Sequence, residues 1–211
     1  MRRYRRVEEH LEPSAPTGAR SARRHGRWRD RGAAVVEAAF VAPIFFVLIF
    51  GIMEFGFAFQ ERLTTVNMSQ TGARTGASAA DDPLADYRIL RKIRTESASV
   101  PAARITHIVV YKATGPGSVV PEACKMNPQT GICNLYTGNT LANVAADFGC
   151  TSDDVGYHWC PTDRKATTSG DGPDYVGVYV RIEHPTITGF FGEEFVFTSD
   201  TVMRIEPRSS L

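Results

Sequence analysis

The residue types able to do chemistry fall in two places along the chain, and the first is a cluster of thiols. Cys124, Cys133, Cys150 and Cys160 lie in one stretch rich in Gly, Pro, Asn, Asp and Thr. An even number of cysteines in a loop-rich region reads as two disulfides in an oxidising compartment. Three connectivities are open, and sequence order favours Cys124–Cys133 with Cys150–Cys160, each closing a short loop. The rival is a zinc site with His158 beside Cys160, but the stretch has no C-x-x-C pair to anchor one. His107, His158 and His184 form no motif with a nearby Ser, Asp or Glu. Asp153, Asp154, Asp171 and Asp174 lack the order of an EF-hand loop and read as solvated. There is no Gly-rich phosphate loop, no H-E-x-x-H and no G-x-S-x-G. The chain reads as non-catalytic, with no metal and no cofactor.

The second place is a pair of carboxylates in apolar surroundings. Glu37 and Glu54 are the only charges between Ala33 and Phe59, a run of 27 residues. A carboxylate at the centre of a bilayer costs on the order of 3 kcal/mol, so each needs a cheap location or a partner. Glu37 sits near one end of the run, five residues after Gly32. Glu54 sits near the other end, where it either snorkels to the interface or makes a membrane helix partner contact.

The elements that must position these residues start with that run. At ~1.5 Å per residue it is long enough to cross a hydrocarbon core of ~30 Å, and it lacks the small-x-small exit of a cleaved secretory signal. Residues 1–31 hold ten arginines against four acidic residues, while residues 60–211 hold 14 Lys/Arg against 17 Asp/Glu. The positive-inside rule keeps the basic arm in the cytoplasm and exports the remainder, giving a single-pass protein of the cell (cytoplasmic) membrane. The arm lacks apolar periodicity and is expected to be disordered in water; it reads as a topology signal in contact with membrane lipid, with no nucleic acid partner. Pro43 is expected to bend the span.

Beyond the membrane, Phe59, Leu63, Val66, Gln70, Ala73, Ala77 and Ala80 mark a stripe on a helix reaching about Ala80, closed by Pro83. Asp82 and Pro83 then cap a second helix with Leu84, Tyr87, Leu90 and Ile93 on one face. Strands are expected at Arg104–Lys112, Tyr175–Glu183 and Phe195–Ile205, with a short helix at Thr140–Phe148. The fold class is therefore α+β: a long N-terminal helix, membrane-spanning in its first half, then a small antiparallel sheet with a Cys-rich insertion. Its parts are a basic leader at 1–32, a transmembrane helix at 33–59 and an exported domain at 60–211.

The order R-G-A-A-V-V-E before an apolar span resembles the class III signal of type IV pilin-like proteins. The wider run A-A-V-V-E-A-A-F-V-A-P-I-F-F-V-L-I-F-G-I-M-E-F-G, the polar helix after it and the terminal V-M-R-I-E-P resemble TadE-like minor pseudopilins of the tight-adherence (Flp) pilus machinery. The resemblance covers residues 31–80 and, loosely, the last strand; Ala38 stands where the major Flp pilins carry an aromatic. It implies cleavage of the leader by a prepilin peptidase between Gly32 and Ala33. It also implies that Glu37 pairs with the new N-terminus of a neighbouring subunit during assembly. Other pseudopilins and pilus assembly proteins would be the partners, in a structural role. The alternative is an uncleaved, membrane-anchored extracellular binding module whose Cys-rich loops make the contact.

Overall fold

The computed structural model describes residues 27–189 and 191–207. The basic arm before Arg27 lies outside the described residues. Helix α1 runs from Arg27 to Ala79, so it begins inside the segment expected to be unstructured, and it carries Pro43 within it. The chain divides into two units with the boundary between Val47 and Leu48, inside this helix. In the first unit the described side chains from Gly32 onward are exposed on every side, Ala42 alone being half-buried. An apolar helix with exposed side chains is suited to lipid, and α1 is long and apolar enough to cross a membrane.

The second unit is built on a four-stranded antiparallel sheet of order β2-β1-β3-β4, comprising β1 (Ile105–Ala113), β2 (Cys133–Tyr136), β3 (Tyr175–Pro185) and β4 (Glu194–Arg204). The long helix followed by this sheet and two disulfides makes the fold α+β, as expected. Alternation decides which residues face which layer. Ile108, Val110, Val176, Val178, Val180 and Ile182 point to one side, where α1 and α2 (Ala85–Glu96) supply Met68, Ala73, Ala77, Ile89, Leu90 and Ile93. Val109, Tyr111, Ala113 and Tyr179 point to the other side, covered by Val120 and by Cys124 of the short helix α3 (Glu122–Met126). Gly177 is required here because the Tyr111 ring of the neighbouring strand occupies the space a Cβ would take.

Helix α1 approaches the sheet closely because small residues face it. A Cβ on Gly72 would come 3.1 Å from Val178 and one on Gly76 3.0 Å from Ile89. The helix stops at Ala80, whose φ of 54° is left-handed, one residue before Asp81 and ahead of Pro83. Asp82 then accepts the Leu84 amide at 2.8 Å, so it caps the turn before α2 and not α2 itself.

Two expectations need correction, and two elements were not foreseen. The expected stripe holds at Ala73, Ala77 and Ala80, which are buried, but fails at Phe59, Leu63 and Gln70, which are exposed; the face of α1 that is buried instead carries Gly51, Glu54, Ala58, Glu61, Thr65, Met68, Ser69, Gly72 and Gly76 beside Ala73 and Ala77. Polar residues serve there because the sheet edge and loops offer them partners. The segment Thr140–Phe148 is not one helix but two 3-10 turns, Gly138–Ala142 and Ala145–Asp147, because its apolar residues are too sparse to bury a full turn. Strand β2 and helix α3, short and bounded by the cysteines, were not marked by any periodicity.

Candidate functional site

The buried face of α1 forms a polar ladder that meets one part of the sheet after another. Ser69 Oγ lies 2.7 Å from Ser199 Oγ and 3.0 Å from Thr201 Oγ1 on β4. One turn and more toward the N-terminus, Thr65 returns its hydroxyl to the Glu61 carbonyl at 2.8 Å, which removes its need for a partner. Glu61 receives Arg104 Nη1 at 2.7 Å on one oxygen, and His184 Nδ1 lies 3.0 Å from the other. Arg104 precedes β1 and His184 belongs to β3, so this cluster ties three elements together. Beside it is a cleft of about 240 Å³, lined in part by Phe57, Gln60 and Ser99.

Two turns further, Glu54 is fully buried. Its Oε1 accepts the Ile187 amide at 3.1 Å, and its Oε2 accepts the Thr188 amide at 3.3 Å and the Thr188 hydroxyl at 2.6 Å. The donors come from the loop joining β3 to β4. In this structure all three donors to the Glu54 carboxylate come from its own chain. Phe191 of the same loop packs on α1, its ring 3.5 Å from where a Gly51 Cβ would stand and its centroid 5.0 Å from that of Phe55.

Gly32 and Glu37 behave differently. Both are exposed, nothing stands within 4 Å of a Cβ built on Gly32, and Glu37 makes no hydrogen bond or ion pair among the described residues.

The Cys-rich insertion is organised by another buried carboxylate, Asp86 of α2. Arg164 Nη2 reaches Asp86 Oδ1 at 2.5 Å, while Tyr136 Oη and Asn134 Nδ2 reach Oδ2 at 2.6 and 2.8 Å. Burial and the Asp86 charge push the Tyr136 hydroxyl well above its ordinary range. Arg164 also stacks on Trp159 at 4.3 Å, and Asn134 exchanges hydrogen bonds with the Trp159 backbone. The disulfides are Cys124–Cys133 and Cys150–Cys160, with Cα atoms 6.1 and 5.3 Å apart. His158 is not joined to them by a metal set: among the described residues no group of three His, Cys, Asp or Glu is placed to share an ion. Asp154 is engaged by Thr151, and Asp174 by Lys112 and the Lys165 amide. His107, half-buried, has its basicity lowered chiefly by desolvation.

Residues 32–74 match the family described as TadE-like protein. That TadE-like segment contains Gly32 and Glu37, the exposed apolar helix, and the ladder from Gly51 through Glu54 and Glu61 to Gly72. It ends before α2, so the Asp86 network and both disulfides lie beyond it. No curated protein and no solved structure matches the chain.

Asp86, Arg164, Glu61 and Arg104 were not singled out from the sequence. For Glu61 a signal existed, since Glu54, Ala58, Glu61, Thr65, Ser69, Gly72 and Gly76 recur at spacings of three and four. For Asp86 and Arg164, 78 positions apart, no local pattern joins them.

Proposed function

We propose that this chain is a TadE-like minor pseudopilin that acts in assembly of a tight-adherence (Flp) pilus, structural and not catalytic. The observation that carries the reading is the TadE-like match over residues 32–74, on a segment where a glycine and a carboxylate, both exposed, stand at the start of an apolar stretch of α1 whose side chains are exposed. The helix spans the cytoplasmic membrane once, with the arm inside and the disulfide-bonded unit exported. A match to a pilus-related family together with such a helix supports membrane lipid and pilus assembly proteins as partners.

On this reading a prepilin peptidase cuts between Gly32 and Ala33 and the mature chain begins A-A-V-V-E. Gly32 lies within α1, so the helix must unwind locally to enter a protease; glycine makes that cheaper by about 1 kcal/mol relative to alanine. The new amine then stands about 6 Å along the helix from Glu37. An unpaired carboxylate and an unpaired amine at a membrane edge are costly, so docking against the amine of a neighbouring subunit relieves both.

N-terminal sequencing of the protein from membranes of cells carrying the peptidase is expected to read A-A-V-V-E. A start at Met1 or Arg2 would overturn the reading in favour of an uncleaved anchored module. Gly32→Leu is expected to leave the long form, and Glu37→Ala to be cut yet fail in assembly; normal piliation with Glu37→Ala removes the pairing role.

A further inference from the structure

We propose that the tip of the β3–β4 hairpin is a second membrane contact, inserting Ile187 and Phe191 into the acyl boundary of the outer leaflet beside α1. The inference rests on the reading of α1 as a membrane span and adds a surface which that reading does not contain.

Composition is the first support. Between His184 and Glu193 the sequence P-T-I-T-G-F-F-G carries no charge. Ile187 is 64% exposed and Phe191 41%, large apolar side chains that a loop in water has no reason to present together. Position is the second. A span begun at Ala33 uses about 20 residues for a ~30 Å core and so ends near Met53. The tip packs at that level, with Phe191 against Gly51 and Phe55 and with Ile187 and Thr188 on Glu54. The tip surface is thus continuous with apolar helix surface, where Ile52 and Phe55 are also exposed.

Backbone chemistry is the third support. Polar groups that leave water must find partners inside the protein. Three successive amides at the tip do so: Thr186 donates to the Glu193 carbonyl at 3.0 Å, and Ile187 and Thr188 donate to Glu54. The Thr186 hydroxyl is likewise returned to Gly192 O at 2.5 Å. The same bonds explain how a carboxylate is carried at the edge of the hydrocarbon, because the tip covers it with donors and closes it off. Glu193 and Glu194, both exposed, limit insertion to the boundary, where aromatic rings are favoured.

The test uses the full chain in phosphatidylcholine nanodiscs whose acyl chains carry bromine near the glycerol end. Trp28→Phe leaves buried Trp159 as an internal report on folding, and Phe191→Trp or Ile187→Trp adds one reporter at the tip. Both tip reporters are expected to lose emission to the brominated lipid and to be shielded from acrylamide, while Trp159 emission is unchanged. Ile44→Trp in the same background, in nanodiscs whose bromines lie near the ends of the acyl chains, is the span control. Quenching at position 44 with none at 187 and 191 overturns the tip contact and leaves the span standing. No quenching at position 44 overturns the span, and the tip proposal with it. Shielding of the tip from lipid bromine and from acrylamide alike shows protein covering it, as a second copy would, and also overturns the proposal.

Discussion

Glu54 and Asp86 are both buried carboxylates, yet their surroundings differ in kind. Asp86 faces a guanidinium from one segment and a phenol and an amide from strand β2, and the pair it makes with Arg164 is electrically neutral. Glu54 accepts hydrogen bonds from amides and a hydroxyl of two adjacent residues, and among the described residues no cation hydrogen-bonds it. The first arrangement cross-links distant parts of the chain and makes the insertion depend on an ion pair. The second fastens one loop to one helix and keeps the charge beside apolar surface. A buried charge serves as a clamp in the first case and as a local latch in the second.

That contrast can be broken most directly at the clamp. Arg164→Met strands Asp86 among neutral groups, and loss of one partner of a buried pair costs about 3–5 kcal/mol. Guanidinium denaturation of the full chain in detergent micelles is expected to show this, with Asp86→Asn added to Arg164→Met costing less than the two single changes summed. An Arg164→Met chain as stable as the parent would show that the ion pair is incidental.

The disulfides sharpen the comparison within the insertion. Their sequence separations of 9 and 10 residues are nearly equal, so loop entropy is similar, roughly 2–3 kcal/mol each. Cys124 and Cys133 are fully buried, whereas Cys150 is exposed. Replacing Cys124 and Cys133 together by serine is therefore expected to cost more than replacing Cys150 and Cys160, because two hydroxyls enter the second apolar cluster. Equal losses in the denaturation midpoint would show that burial at Cys124–Cys133 adds nothing.

At the latch, Glu54→Gln places an amide where donors already point, so one of the three bonds is lost or inverted. Hydrogen exchange is expected to speed at the Ile187 and Thr188 amides with little change in the Asp86 region. Faster exchange throughout β1–β3 would mean that Glu54 too is a clamp.

The smallest effect concerns Asp200, a half-buried carboxylate that accepts from the Tyr111 hydroxyl and the Val120 amide, both at 2.7 Å, and is bonded by no cation among the described residues. Burial raises its pKa above the ordinary aspartate value despite those bonds. A carboxyl raised in the folded state contributes stability below its unfolded pKa and loses it as pH rises through the folded value. Asp200→Asn is expected to flatten that part of the pH–stability curve; an unchanged curve would show that the two donors fully offset desolvation.

The apolar helix, the three long strands and the sequence-order preference for the disulfide pairs were legible because each rests on local information. Twenty-seven residues with two charges, alternation along β1 and β3, and a short separation between cysteines can all be read without knowing what lies opposite. The helix face was misread for the complementary reason. Apolar spacing marked Phe59 and Leu63, yet the side that packs carries Glu54, Glu61 and Ser69, each acceptable there only because a partner from elsewhere in the chain meets it.

Composition and periodicity by themselves determined that this protein has an apolar helix able to cross a membrane, a basic arm before it, and an α+β unit with paired cysteines after it. Only the tertiary structure decided which polar residues are buried and what they do. Desolvation makes a lone carboxylate costly, and whether it is relieved depends on donors that the chain brings from 133 positions away at Ile187 or 78 at Arg164. Such distances leave no trace in local pattern, so the latch on Glu54 and the clamp on Asp86 exist only once the sheet has placed their partners.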